Sequence, residues 1–96
     1  MELSINKNIE KKRYEVSIET KYAFIDYIEA KDTVYLTHTE VPKEFEGKGI
    51  ASKLVVFALE DIENKGLKLA PLCPFVAAYI RRKPEWKRIL SPKYNV

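Results

Sequence analysis

The sequence predicts an α/β domain of the α+β kind: a three-stranded antiparallel meander, a helix, a parallel-paired fourth strand and a C-terminal helix, β-β-β-α-β-α. Two observations carry this. The apolar period changes from 2 to about 3.6 near residue 42, so strands come first and helices later. The links between the first three apolar runs are short and polar, which favours antiparallel neighbours.

Taken in order, residues 13–20 alternate, with Tyr14, Val16 and Ile18 set against polar neighbours, as in a half-buried strand. Residues 22–30 are richer in aromatic and β-branched side chains (Tyr22, Phe24, Ile25, Tyr27, Ile28), which predicts a strand covered on both faces. Residues 33–41 alternate again, placing Val34, Leu36 and His38 on one side and Tyr35, Thr37 and Thr39 on the other. From 49 to 65, Ile50, Leu54, Phe57, Ala58 and Ile62 recur at helical spacing, and Gly66 follows where a helix C-terminus favours glycine. Residues 67–70 form a short apolar strand. A helix joining it to the strand before implies a right-handed crossover and a parallel pair. Pro74 suits the first turn of the last helix, whose Phe75, Ala78, Tyr79 and Arg82 share a face. Pro84 breaks that helix, and residues 85–90 add one more turn with Trp86 packed inward.

A chain of 96 residues fits one domain, residues 1–96, with a core of modest size. With 46% apolar and 32% charged residues it is expected to be globular rather than disordered. No apolar run approaches the roughly 18 residues of a membrane span, and Met1 to Glu10 is too polar for a signal peptide. The single Cys73 excludes an internal disulfide and any multi-cysteine metal site, and with His38 the only histidine no metal is expected. A cytoplasmic monomer is the expectation. The net charge of +3 is uneven: Arg81, Arg82, Lys83, Lys87, Arg88 and Lys93 stand against Glu85 alone in the last 18 residues. Such an end faces either water or phosphates.

Two of the three glycines fall in Glu46-Gly47-Lys48-Gly49-Ile50-Ala51, between the third strand and the main helix. Glycines there let successive N–H groups turn into one concavity, and the helix N-terminus adds partial positive charge, a combination that suits an anion. A tight turn without a ligand is the plainer alternative. The loop has neither the spacing of a P-loop nor the third glycine of a dinucleotide fold.

This loop resembles the acetyl-CoA motif of GNAT N-acetyltransferases, Gln/Arg-x-x-Gly-x-Gly/Ala, with Gly49 and Ala51 in its last two defined places. His38-Thr39-Glu40-Val41-Pro42, Glu46 to Leu54, and Pro71-Leu72-Cys73-Pro74-Phe75 resemble, in order, the small single-domain GNAT-like subfamily. Position 46 departs from the wider pattern, being Glu where Gln or Arg is usual. The resemblance implies a GNAT-like mixed sheet and an acyltransferase that uses acetyl-CoA as cosubstrate. It implies that the backbone of Thr39, Glu40 and Val41 holds pantetheine. It further implies that the N–H groups of Gly47, Lys48, Gly49, Ile50 and Ala51, with Ser52, hold the pyrophosphate. The subfamily lacks the extra helices and hairpin that close the acceptor site in larger GNATs, so the amine acceptor, small molecule or protein, stays open.

Three side chains are candidates for the chemistry. His38, at the end of the strand feeding the loop, carries the side chain that titrates nearest neutral pH and suits a general base; a structural histidine is the alternative. Cys73 enters a helix, where a thiolate is stabilised; it is either a nucleophile for the acetyl group or a core residue. Tyr79 answers either to the general-acid tyrosine of many GNATs or to a residue packed on the sheet, and Arg81, Arg82 and Lys83 either reach the CoA 3′-phosphate or face water. Two rival functions stand beside acetyl transfer: acetyl-CoA binding without efficient turnover, and nucleic-acid binding by the basic end. The second is disfavoured because Tyr22, Phe24 and Tyr27, the aromatics available for base stacking, belong to the strand expected to be most buried.

Overall fold

The structure, a computed structural model, describes residues 3–96. Its strands are β1 (Ile5–Asn8), β2 (Arg13–Ile18), β3 (Lys21–Ala30), β4 (Thr33–Glu40) and β5 (Lys68–Pro71), and its helices α1 (Ile50–Asn64) and α2 (Pro74–Arg82). Two 3-10 turns, Lys43–Phe45 and Pro84–Ile89, complete the regular structure. The five strands form one sheet in chain order, antiparallel from β1 to β4, with β5 parallel to β4. The expected meander, crossover helix and parallel last pair are therefore present, preceded by one additional strand.

That strand, β1, has a physical reason to escape pattern reading. Only Ile5 of its four residues is apolar, and it is half-buried opposite Val16. Lys7 does the rest. Its Nζ lies 3.1 Å from Asp61 on α1 and about 5 Å from the Tyr27 ring centroid, so a charged side chain packs on aromatic faces and pairs with the helix.

The core lies between the sheet and α1. Tyr14, Val16, Ala23, Ile25, Leu36 and Leu69 meet Leu54, Val55, Ala58, Leu59 and Ile62, all fully buried. On α2 the buried residues are Val76, Tyr79 and Ile80, whereas Phe75 is half-buried and Arg82 exposed. The face predicted for α2 thus divides: Tyr79 joins the core stripe, and Phe75 and Arg82 sit together elsewhere. Trp86 is half-buried in the last 3-10 turn, and the residue of that turn driven into the core is Ile89.

Two sequence expectations need correction. β3 is buried on one face only. Ala23, Ile25 and Tyr27 point to the core, while Tyr22 and Ile28 are about half exposed at 47% and 55%. With α1 against the core face, the aromatic and β-branched residues on the other side of β3 stay at the surface. The burial argument raised against nucleic-acid binding accordingly does not hold for Tyr22. β4 also fails to alternate strictly. Its register with β3 shifts between Asp26 and Tyr27, so that Asp26 faces His38 but Tyr27 faces Leu36, leaving Thr37 as an extra residue. Leu36 and Thr39 therefore share the core face, and His38 turns to the other.

Candidate functional site

The bulge, the glycine loop and the start of α2 meet where β4 and β5 part. β5 pairs with β4 only from Thr33↔Lys68 to Leu36↔Pro71, whereas β4 continues to Glu40 against β3. The last backbone link across the gap is the Cys73 N–H donating to the Leu36 carbonyl at 2.8 Å. Beyond it, residues 37–40 have no strand partner on the β5 side. A parallel pair must part when one strand turns into a helix, and Pro74, with no N–H and a fixed φ, forces that turn.

Beside the gap lies a cavity of about 470 Å³, of a size that accepts a cofactor fragment. Thr39 and Val41 from the end of β4, Gly47 and Gly49 from the loop, and Ile50, Ala51 and Ser52 from the first turn of α1 line it. Seven of the nine residues assigned to cofactor binding thus meet in one place. Glu40 and Lys48 are exposed and do not line it. Gly47 and Gly49 hold φ near +79° and +77°, a left-handed backbone that a Cβ disfavours, and nothing stands within 4 Å of the position a Cβ would take at either. The loop needs glycine for its backbone, and the space over it is clear.

The helix end above the loop is bare of side-chain partners. Gly49 is its N-cap, no side chain caps it, and no acidic residue occupies its first turn. The first N–H groups of α1, unpaired inside any helix, therefore open on the cavity together with the positive end of the dipole. Phe45, Phe75 and Arg82 complete the wall, with Glu46 at its rim. Sequence reading did not assign Phe45 or Phe75 to the site. The Phe75 signal lay in its seven-residue spacing to Arg82, which puts both on one side of α2, away from Val76 and Ile80.

The three candidate chemical groups are not all on one face of the sheet. Cys73 is 4% exposed and its thiol lies 3.1 Å from the Thr39 hydroxyl, across the gap between β4 and α2. His38 is on the opposite face of β4, its side chain 59% exposed, 3.7 Å from the Glu40 carboxylate and its ring tilted by 59° against that of Phe24, 6.3 Å away. Tyr79 packs in the core beneath the Arg82 guanidinium, 5.9 Å from its ring centroid. Among the described residues, no group of three or more His, Cys, Asp or Glu is placed to hold a metal ion, and no helix is long and apolar enough to cross a membrane.

A mixed sheet whose parallel pair parts beside a glycine loop and a bare helix N-terminus is the GNAT-like arrangement expected from the sequence, and the family comparison agrees. The family model of GCN5-related N-acetyl-transferases matches residues 13–89, and the chain belongs to that family. Among curated proteins it is similar to Protein NATD1 of Xenopus tropicalis, 39% identical over 54 residues that cover 56% of this chain and 50% of the relative. The human NATD1 is 37% identical over 54 residues, covering 56% of this chain and 48% of that protein. The chain thus spans about half the length of the curated relatives it matches. Its fold resembles the NMR structure of a GCN5-like protein of Staphylococcus aureus, with a TM-score of 0.74 at 20% identity, covering 93% of this chain and 88% of that one.

Proposed function

We propose that the protein binds acetyl-CoA in this cavity and transfers the acetyl group to an amine. The observation that carries the reading is the convergence of the uncapped α1 terminus, the Gly47–Gly49 turn and the free edge of β4 on one cavity. Backbone N–H groups of the loop and first helical turn suit a pyrophosphate without any basic side chain, which accommodates Glu46. The unpaired β4 edge after Leu36 offers N–H and C=O groups to an extended amide chain such as pantetheine, in the way an edge strand accepts another. Acetyl-CoA, when bound, supplies the acetyl group as an activated thioester. At the end of β4 the Thr39 hydroxyl and Cys73 thiol lie on the core face, and His38 and Glu40 on the exposed face. An amine approaching from the exposed face meets Glu40 and His38, which take up the proton it loses as the new C–N bond forms, while the C–S bond breaks and the departing CoA thiolate takes a proton from water.

Acetyl-CoA binding without efficient turnover is the second reading. It is favoured by the openness of the sheet face beside His38, over which Tyr22 and Ile28 lie about half exposed. The deciding test is calorimetric titration with acetyl-CoA of the native chain and of Gly49→Asp, which puts a carboxylate at the helix terminus. The native chain is expected to bind and the variant to lose binding by tenfold or more. Equal affinities would move the cofactor away from this loop. Binding without acetylation of any tested amine would select the second reading.

A further inference from the structure

Cys73 occupies the N-cap of α2, where a side chain ordinarily turns back to bond the first N–H groups of its own helix. Its thiol does not. It points across the gap instead, to Thr39 Oγ1 at 3.1 Å, the hydrogen bond that the sulfur makes with a side chain. Both ends of that bond are held by backbone. The Cys73 N–H is fixed to the Leu36 carbonyl at 2.8 Å, and Pro74 fixes the turn that follows. Thr39 stands on β4 opposite Ile25, and its β-branch limits its rotamers. The register shift is what aims it there. With strict alternation after Leu36 the imidazole of His38 would take the core side; the extra residue at Thr37 gives that side to a hydroxyl. The bulge is itself tied down, Thr37 Oγ1 donating to the Asp26 carbonyl at 3.4 Å.

We propose that Thr39 is a positioning residue for Cys73, its hydroxyl holding the buried sulfur within the gap and donating a hydrogen bond to the thiolate once the thiol proton has left to water. A hydroxyl rotates to accept from S–H or to donate to S⁻, so one residue serves both forms. Bonds to an ionised partner are about twice as strong as neutral ones, so the thiolate gains more than the thiol. The inference rests on reading the gap as the acyl site, but its test needs no acetyl-CoA.

The test is the rate of Cys73 alkylation by iodoacetamide at neutral pH, followed by mass spectrometry on the folded full chain, in native protein, Thr39→Val and Thr39→Ser. Thr39→Val keeps the shape and removes the hydroxyl, and is expected to react about fivefold more slowly, the excess of a bond to the ionised group over one to the neutral group. Thr39→Ser, which keeps the hydroxyl, is expected to stay within about threefold of native. A valine variant reacting as fast as native, or faster, would overturn the proposal, as would a serine variant as slow as valine. A loosened fold raises thiol reactivity, so it cannot mimic the expected loss. Failure of the native chain to bind acetyl-CoA would remove the proposed function while leaving this comparison readable.

Discussion

Tyr14 is fully buried, yet its hydroxyl donates to Asp61 Oδ2 on α1 at 2.8 Å, while its ring packs on Tyr27 and Phe57. Burial, reinforced by the Asp61 carboxylate, holds the phenol protonated well above its ordinary range. Asp61 is pulled the other way. Burial would raise its carboxyl, but hydrogen bonds from Tyr14, Lys7 and Lys65 outweigh that and keep it below the usual value. A carboxyl lowered on folding stabilises the native state above its unfolded value near 3.9, and that stabilisation is lost as pH falls through the lower folded value. Urea unfolding is accordingly expected to show stability declining below about pH 4, and Asp61→Asn to flatten the decline. Identical acid profiles for the two proteins would show that Asp61 contributes no such stability. Tyr14→Phe keeps the rings and removes the bond, at an expected cost of about 1.5 kcal/mol in the same assay.

Among elements, the hairpins carry most of the local strain. The β2–β3 turn runs through Glu19, whose φ of 58° is left-handed although it is not glycine. That conformation costs an ordinary residue about 1–2 kcal/mol, whereas glycine tolerates it but loses some entropy on folding. Glu19→Gly is therefore expected to stabilise the protein by about 0.5 kcal/mol. The same replacement at the exposed Lys53, inside α1, is expected to destabilise it by about 1 kcal/mol. Chemical unfolding of the pair checks both signs, and a loss at Glu19 would mean that its side chain matters more than its backbone. β4 shows what one element can do for a site. Its bulge at Thr37 decides which of two adjacent residues faces the core, Thr39 rather than His38.

Over the whole molecule, the basic C-terminal end divides when it folds. Arg88 is tied to Glu63 of α1 at 2.6 Å and lies over the Trp86 ring, so it braces the last turn against the helix. The Glu63 carboxyl is held below its ordinary range, first by that hydrogen bond. Arg82 instead lines the cavity. An exposed guanidinium there acts on an anionic ligand through a salt-screened field. Arg82→Ala is expected to weaken CoA binding about threefold, the scale of one exposed ion pair, and to leave dephospho-CoA unaffected. Calorimetry with the two nucleotides at low and moderate salt reads this out. An equal loss for both would take Arg82 away from the 3′-phosphate.

By itself the sequence determined the strand and helix order from residue 13 onward, because the period of 2 gives way to one near 3.6 and Gly66, Pro74 and Pro84 mark helix ends. It also carried the glycine loop, since a left-handed turn before a helix favours glycine at 47 and 49. β1 was not legible, because polar residues make a strand there only once Lys7 finds Asp61 and two tyrosine rings. Nor was the open face of β3, since β-propensity does not tell which side a helix covers. The partner of Cys73 was decided by tertiary structure alone. A bulge is a relation between two strands, and this one, set where Asp26 and Tyr27 pair with β4, places a hydroxyl rather than an imidazole beside the thiol.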